Sequence, residues 1–187
     1  MFKLKLDEHL YTALFQPEDA IELYELIAEN RHSLGEWLSF PGKTKSLEDT
    51  EKFIERSLDR FSAGNGFWAG IWYNSQLAGA VGFLHVDKSN RKTEIGYWLG
   101  ESFQGYGLVT KSCQRFIDHA FKDWELNKVE INMASMNTRS RSVAERLGFI
   151  EEGTIRDFEY INGEFKDRVI YGMIRREWEE QRKEGDL

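Results

Sequence analysis

Two glycines near the middle of the chain, Gly105 and Gly107, have the type and spacing needed to bind a phosphate group. The residues before them, 92–99, are rich in β-branched and aromatic side chains and predict a strand, and a helix is predicted from Tyr106 to about Trp124. Because glycine has no Cβ, this loop can turn tightly and point successive N–H groups at one anion, beside the positive end of the helix dipole. A Gly-x-Gly turn before a helix is weak evidence by itself, since many helices begin after a flexible turn.

Two familiar phosphate-binding motifs do not occur in the sequence. There is no Gly-x-x-x-x-Gly-Lys-Ser/Thr, and the stretch Gly105-Tyr106-Gly107 lacks the third glycine of a dinucleotide fingerprint. Neither a nucleoside triphosphatase nor a Rossmann domain is therefore favoured.

Metal binding and nucleophilic catalysis are not favoured either. Cys113 is the only cysteine, so the chain can form no intramolecular disulfide or multi-cysteine metal site, and we expect a buried, structural thiol. His32, His85 and His119 are not spaced as metal ligands, and no Ser/His/Asp or Cys/His signature is found. We expect no metal.

The composition bounds the remaining possibilities. With 187 residues, 41% of them hydrophobic, the chain is long enough for one well-buried core, so we expect a single domain over 1–187. The net charge of −7 argues against nucleic-acid binding and would suit a basic or amine partner. No apolar run approaches the ~18 residues of a membrane span, and the first residues lack the apolar core of a signal peptide, so we expect a cytoplasmic protein with no membrane contact.

Hydrophobic periodicity and turn signals predict the strands and helices that position the glycine loop. The first helix, 20–30, should turn Ile21, Tyr24, Leu26 and Ile27 inward, and the capping-box pattern at Ser46 predicts a second helix up to about Ala63. The chain from Glu177 onward is charged and predicts a solvated helical tail. Strands are predicted at 4–15, 66–73, 77–86, 92–99 and 129–134, followed by a short helix at 138–147 and a final hairpin that turns at Asn162-Gly163. The order of these strands and helices along the chain indicates a mixed α/β or α+β sandwich.

Four motifs together resemble a known family. They are Glu94-Ile-Gly-Tyr-Trp-Leu99, Phe103-Gln-Gly-Tyr-Gly107, Asn137-x-x-Ser140 followed by Leu147-Gly-Phe149, and Glu159-Tyr-Ile-Asn-Gly163. On these motifs nearly the whole chain resembles the acetyl-coenzyme-A-dependent N-acetyltransferase (GNAT) superfamily, and within it the Rim-type branch that acetylates the N-termini of ribosomal proteins. The resemblance implies a mostly antiparallel sheet of seven strands, splayed between the fourth and fifth, with helices on both faces.

The resemblance also implies where acetyl-coenzyme A (acetyl-CoA), the acetyl donor, would bind. Its extended pantetheine arm would add like a strand along the splayed edge, and its pyrophosphate would sit on the N–H groups of the glycine loop. The implied cofactor-binding residues are Trp98, Leu99, Gln104, Gly105, Tyr106, Gly107, Leu108 and Asn137.

The catalytic residues follow from the resemblance and from the needs of direct acyl transfer. Ser140 matches the serine that protonates the leaving thiolate in the Rim-type branch, and Glu159 matches a carboxylate that can take the amine proton through water. Glu94 is the reserve for that second role. Trp37 and Phe40 could wall the acceptor groove, or simply anchor a packed loop.

Two positions depart from the superfamily pattern. Ser102 stands where the loop often carries Arg or Gln, so a side-chain contact to phosphate from that position is in doubt. Ala144 stands where many relatives have a tyrosine that protonates the thiolate, so another donor is needed.

The sequence leaves the acceptor open. The first hypothesis is the N-terminal amine of a peptide or protein, and a polyamine or amino sugar is the nearest alternative. A module that binds acyl-CoA without turnover is the rival from another class, and a monomer and a homodimer are both compatible with the sequence.

Overall fold

The computed structural model describes residues 2–185. The predicted strands and helices occur in the predicted order, with two further short helices between the first and second predicted helices. The strands are β1 (Lys3–Lys5), β2 (Leu10–Leu14), β3 (Phe67–Tyr73), β4 (Gln76–Asp87), β5 (Lys92–Leu99), β6 (Lys128–Ala134), β7 (Ile150–Ile161) and β8 (Glu164–Ile174). The helices are α1 (Ala20–Glu29), α2 (Arg31–Gly35), α3 (Phe40–Lys43), α4 (Leu47–Ser62), α5 (Leu108–Lys122), α6 (Thr138–Arg146) and α7 (Arg175–Gly185). Short 3₁₀ turns lie at Pro17–Asp19 and Glu101–Phe103.

All the strands belong to one mixed sheet, in the order β1-β2-β3-β4-β5-β6-β8-β7. Neighbouring strands are antiparallel except β5 and β6, which run parallel. Parallel pairing between these two strands is made possible by α5, which crosses over between them. The predicted fold class, α/β with a mixed and mostly antiparallel sheet, is confirmed.

The sheet has eight strands among the described residues, rather than the seven expected, because the predicted first strand is divided. The carboxylate of Asp7 accepts hydrogen bonds from the backbone N–H groups of His9 and Leu10, at 2.9 and 2.8 Å. This turn folds the chain back on itself, so β1 pairs with β2 instead of continuing into it. An aspartate that binds N–H groups two and three residues ahead is typical of a turn, and the alternation of apolar residues concealed it.

The helices cover both faces of the sheet. On one face α5, α6 and α7 pack over the larger core, which contains Phe83, Phe116 and Val169. On the other face α1 and α4 pack over a second core that contains Leu23, Ile54 and Trp98. No helix described within 2–185 is long and apolar enough to cross a membrane.

The local sequence explains the main helices on the second face. The capping box at the start of α4 forms as predicted, since Ser46 Oγ accepts from Asp49 N–H and the Asp49 carboxylate accepts from Ser46 N–H. In α1, Leu26 and Ile27 are buried as predicted, but Ile21 is 59% exposed and the prediction for it was wrong. The buried stripe instead begins at Ala20 and continues through Leu23.

The C-terminal helix is more than the solvated tail that its charges predict. Trp178 of α7 is only 6% exposed, and its indole N–H donates to Asp118 Oδ1 of α5 at 2.9 Å. The guanidinium of Arg182 reaches the other oxygen of the same carboxylate at 3.0 Å. One buried carboxylate of α5 thus binds two side chains of α7.

Asp118→Ala is expected to lower the free energy of unfolding by about 2 kcal/mol, because it leaves a buried indole N–H without an acceptor. Asp118→Asn is the matched control, since its amide oxygen can still accept from Trp178, while the charge and the oxygen that accepts from Arg182 are lost. Urea denaturation of the two variants tests this attachment, and equal stability of wild type and Asp118→Ala would contradict it.

Candidate active site

The opening in the sheet lies between β5 and β6. Their pairing covers only Lys92 to Glu94 against Lys128 to Glu130, and beyond Glu94 the two strands have no paired residues. The edge of β5 from Ile95 to Leu99 that faces β6 therefore has no strand partner. This is the splay that the resemblance implies, and it leaves main-chain groups available to an extended ligand.

The glycine loop adjoins the carboxyl end of β5 and is fully open to ligand. Gly105 and Gly107 have φ values of +86° and +72°, which are left-handed conformations that favour glycine. A Cβ built on either glycine would have no protein atom within 4 Å, so space lies beside the backbone. Gly107 is also the N-cap residue of α5, and no side chain caps this helix. The first N–H groups of α5 are thus presented without a side-chain acceptor.

A buried asparagine fixes the approach to this loop. Asn30, at the end of α1, accepts a hydrogen bond from Glu101 N–H at 2.8 Å through its side-chain oxygen. Its amide group donates to the carbonyl of Leu26 at 2.9 Å. The start of the loop is therefore tied to α1, which is packed on the sheet.

Arginine side chains from α6 supply positive charge near the glycine loop, which the motifs in the sequence do not predict. Arg139 donates to Gln104 Oε1 at 2.6 Å, and Arg146 reaches Thr110 Oγ1 at 3.3 Å. Ser102 is exposed, and its short side chain carries no charge. Arg139 therefore brings to the loop a positive charge that the side chain of Ser102 cannot supply. The only sequence feature that could have predicted this contact is the position of Arg139, two residues after Asn137.

Asn137 and Ser140 meet β5 at the mouth of the splay. Asn137 is the N-cap of α6, and its side-chain oxygen accepts from Ser140 N–H at 3.1 Å. The hydroxyl of Ser140 lies 2.7 Å from the phenol oxygen of Tyr97. Burial raises the pKa of Tyr97, and the nearby Cys113 adds to this effect. In the sequence, only its place in a predicted strand distinguishes Tyr97.

Neither Ala144 nor Cys113 can supply the missing thiolate partner. Both are fully buried in the larger core. Burial raises the pKa of the Cys113 thiol, in agreement with the structural role expected for it. A tyrosine introduced at position 144 would need space that the packed core does not leave.

Glu94 lies where β5 and β6 separate. Burial raises the pKa of its carboxylate, while the Arg168 guanidinium, 3.9 Å away, and the polar side chain of Asn132 act in the opposite direction. The side-chain oxygen of Asn132 is buried without a hydrogen-bond partner among the described residues. Strand alternation places Glu94 on the same face of β5 as Trp98, and Tyr97 on the opposite face.

The β7–β8 hairpin and the α2–α3 region border the splay on the face of Trp98. The ring of Phe40 packs against Trp98 with centroids 5.7 Å apart, whereas Trp37 is half-buried in the preceding turn. At the hairpin tip, Asn162 donates to the carbonyl of Gly35 at 2.7 Å and joins the two regions.

Glu159 lies near that tip, opposite Lys166, just after an irregularity in the pairing of β7 with β8. Phe158 precedes it and lies under the Arg168 guanidinium, 4.0 Å from the ring centroid to Cζ. Arg168 thus contacts both Phe158 and the region of Glu94, and it links the hairpin to the splay.

The residues present fit a coenzyme A molecule, and they do not suggest a metal. Open space beside Gly105 and Gly107, uncapped N–H groups and the nearby Arg139 suit a pyrophosphate, and the unpaired edge of β5 suits a diamide chain. Within residues 2–185 no group of three or more His, Cys, Asp or Glu side chains is arranged to hold a metal ion.

Comparison with known proteins agrees with this geometry. A family model described as "Acetyltransferase (GNAT) domain" matches residues 10–150. A Bacillus subtilis protein named "Putative ribosomal N-acetyltransferase YdaF" is 42% identical over 181 residues, which is 96% of this chain and 98% of that protein.

Two solved structures of similar fold contain coenzyme A or acetyl-CoA. One is RimL, a ribosomal L7/L12 alpha-N-protein acetyltransferase in complex with coenzyme A, with a TM-score of 0.91 and 27% identity over 94% of this chain and 99% of that one. The other is the microcin C7 self-immunity acetyltransferase MccE in complex with acetyl-CoA and AMP, with a TM-score of 0.87 and 30% identity over 91% of this chain and 95% of that one.

Proposed function

The chain belongs to the GNAT acetyltransferase family, in its branch of RimJ/RimL type, and from this premise we propose that it acetylates the N-terminal α-amine of a ribosomal protein. The acetyl donor is acetyl-CoA, which supplies a thioester that an amine can attack directly. The observation that carries the proposal is the open glycine loop placed at the end of a strand whose edge is unpaired. That arrangement binds a pyrophosphate and an extended chain at the same time.

Main-chain groups hold the donor in this proposal. The N–H groups of residues 104–108 bind the pyrophosphate, and Arg139 adds a charged contact that compensates for Ser102. The edge of β5 at Trp98 and Leu99 receives the amide groups of the pantetheine arm, and Asn137 combines capping of α6 with contact to the donor. Because the backbone supplies most contacts, side-chain departures in the loop are tolerated.

The two carboxylates divide the work on the acceptor side. Glu94 has lost water on burial, so a cationic ammonium in the splay would replace the solvation that its carboxylate lacks, and Asn132 Oδ1 offers that ammonium a second acceptor. Glu159 borders the same groove from the hairpin and accepts the proton of the amine through water. Phe40 provides an apolar wall for the residue that follows the amine.

The hydroxyl of Ser140 stabilises the negative charge that develops on the departing sulfur. It lies at the N-terminus of α6, where the helix dipole also favours negative charge. Tyr97 and Ser140 are on the opposite face of β5 from Glu94. Glu94 therefore contacts the amine from one side of the strand, and Ser140 contacts the sulfur from the other.

Ser140→Ala is expected to lower kcat by about 10-fold to 100-fold with little change in the affinity for acetyl-CoA, because the contact strengthens only as the sulfur becomes charged. Ser142→Ala, on the exposed side of the same helix, is the matched control. Steady-state kinetics and calorimetry provide the two values. Full kcat in Ser140→Ala, under conditions where chemistry limits turnover, would remove Ser140 from the reaction.

Release of thiol from acetyl-CoA in the presence of an acceptor panel tests the function as a whole. The panel contains peptides with free N-termini that match ribosomal proteins, polyamines and amino sugars. We expect the highest kcat/KM with the peptides. The similar structure of MccE contains AMP together with acetyl-CoA, which supports a small-molecule acceptor as the alternative. A higher kcat/KM with such an amine would establish that alternative. Absence of thiol release with every amine would indicate a module that binds acyl-CoA without turnover.

A further inference from the structure

The hydroxyl group of Ser140, which the proposed reaction uses, is hydrogen-bonded to the hydroxyl group of Tyr97. The Tyr97 phenol oxygen is 2.7 Å from Ser140 Oγ and 3.1 Å from the Ser140 carbonyl oxygen. A phenol has a single proton, so it can donate fully to only one of these two oxygens at a time. The direction of the Ser140 hydroxyl proton therefore depends on which of these oxygens accepts the hydrogen bond from Tyr97.

The two arrangements have opposite consequences for the sulfur. If Tyr97 donates to the carbonyl, Ser140 Oγ–H donates to the phenol oxygen, and its proton points away from any ligand in the splay. If Tyr97 donates to Ser140 Oγ, the proton of Ser140 is free to turn toward a negative charge. Both positions are rigid, because Asn137 caps Ser140 N–H and the Tyr97 ring packs on the larger core.

Neither hydroxyl is suited to give up its proton. A free thiol has a pKa of about 8.5 and a phenol a pKa of about 10, and burial raises the pKa of Tyr97 further. Transfer of a proton from Tyr97 to a coenzyme A thiolate is thus uphill, and transfer from an alcohol is more so. These groups stabilise the thiolate by hydrogen bonding, and both keep their protons.

We propose that Tyr97 is a positioning residue that donates its hydrogen bond to Ser140 Oγ and so turns the Ser140 hydroxyl toward the sulfur, which leaves as a hydrogen-bonded thiolate. This inference rests on the proposed function, and it replaces the proton donor expected at Ser140 with a donor of a hydrogen bond. The thioester C–S bond breaks, its electron pair stays on sulfur, and the thiolate takes its proton from water after release. Tyr97 acts only through Ser140.

The Tyr97–Ser140 relay, in which Tyr97 donates to Ser140 Oγ and Ser140 donates to the sulfur, is tested by ligand binding. The relay should strengthen the binding of a thiolate but not of a thioester. Calorimetry is carried out about one pH unit above the ~8.5 pKa of a free thiol, with coenzyme A and with acetyl-CoA as separate ligands. Tyr97→Phe is expected to weaken coenzyme A binding by about tenfold and to leave acetyl-CoA binding unchanged, because only the thiolate needs a charge-assisted hydrogen bond. A packing defect would weaken both ligands alike.

A double-mutant cycle then identifies the route. The Tyr97→Phe/Ser140→Ala protein is expected to bind coenzyme A no more weakly than Ser140→Ala, since Tyr97 acts through Ser140. Tyr11→Phe, which removes a phenol hydroxyl from a ring stacked on Trp72 away from the site, is the matched control and should bind as wild type does.

The outcomes separate this inference from the proposed function. Wild-type protein that binds neither ligand would overturn both. If the wild type binds both ligands and releases thiol, but Tyr97→Phe binds coenzyme A as tightly as wild type, the relay alone is wrong. Additive losses in the double variant would also overturn it, because they would show that Tyr97 acts independently of Ser140.

Discussion

Gly105→Val is expected to weaken acetyl-CoA binding by on the order of 100-fold, the loss of about two charge-assisted hydrogen bonds. The structure leaves open space where the new side chain would point, so no protein atom opposes the substitution. In the proposed complex, however, that space is occupied by the pyrophosphate. A branched side chain there would hold the phosphate oxygens away from the N–H groups of the loop.

Backbone strain must be separated from loss of the binding surface. Gly105 has a φ of +86°, so valine is unfavourable there whether or not a ligand binds. Gly163 at the tip of the β7–β8 hairpin has a φ of +83° and equally open surroundings, so Gly163→Val carries the same strain away from the loop. By calorimetry, Gly163→Val should bind acetyl-CoA as wild type does. Equal affinity in a folded Gly105→Val protein would show that the pyrophosphate binds elsewhere.

Glu159→Gln is expected to reduce kcat by about 100-fold near neutral pH, at the low end of general-base effects. The α-amine of a peptide has a pKa of about 8, so most of it must lose a proton before it can attack. As the pH rises above that value the amine is already neutral, and the deficit of the variant should shrink. A pH profile of kcat for wild type and variant measures this directly.

Glu94→Gln is the matched comparison, because it neutralises the other carboxylate without changing its size. It is expected to raise the KM for the amine with a smaller effect on kcat, since Glu94 attracts the ammonium rather than accepting its proton. A loss of kcat that depends on pH in Glu94→Gln, together with normal turnover in Glu159→Gln, would reverse the two roles. An equal loss at every pH in Glu159→Gln would instead indicate a binding or packing role.

The parts of this molecule that follow from local rules were predictable from the sequence. Strand β5 has the predicted bounds, 92–99, and the capping box of α4 forms at Ser46. The hairpin turn at Asn162-Gly163 also forms, because both residues readily adopt the positive φ values that such turns require. The glycine loop belongs to the same class, since its conformation is set by two residues without side chains.

Contacts across long sequence separations could not be predicted in the same way. Tyr97 and Ser140 are 43 residues apart, and Arg139 reaches a glutamine 35 residues before it. Each pair meets because the sheet brings β5, and the loop that follows it, next to α6. Periodicity also fails where neighbouring elements decide burial, as for Ile21, which faces solvent although it is strongly apolar.

The charged residues of α7 predicted a solvated tail, and this prediction failed for a related reason. The segment has many charged residues, but one indole and one arginine side chain converge on Asp118, which is 60 residues before Trp178. A charged helix can therefore be anchored by very few residues, and composition averages over them.

The position of the acetyl group on a single peptide tests the central claim most directly. The peptide carries a free N-terminus and an internal lysine, and a second form of it has the N-terminus blocked. After incubation with the protein and acetyl-CoA, fragmentation by mass spectrometry should place the acetyl group on the α-amine of the first peptide, and the blocked peptide should remain unmodified. Acetylation of the lysine in both forms, or of neither peptide while a small amine is acetylated, would contradict the proposal that this chain is an N-terminal acetyltransferase.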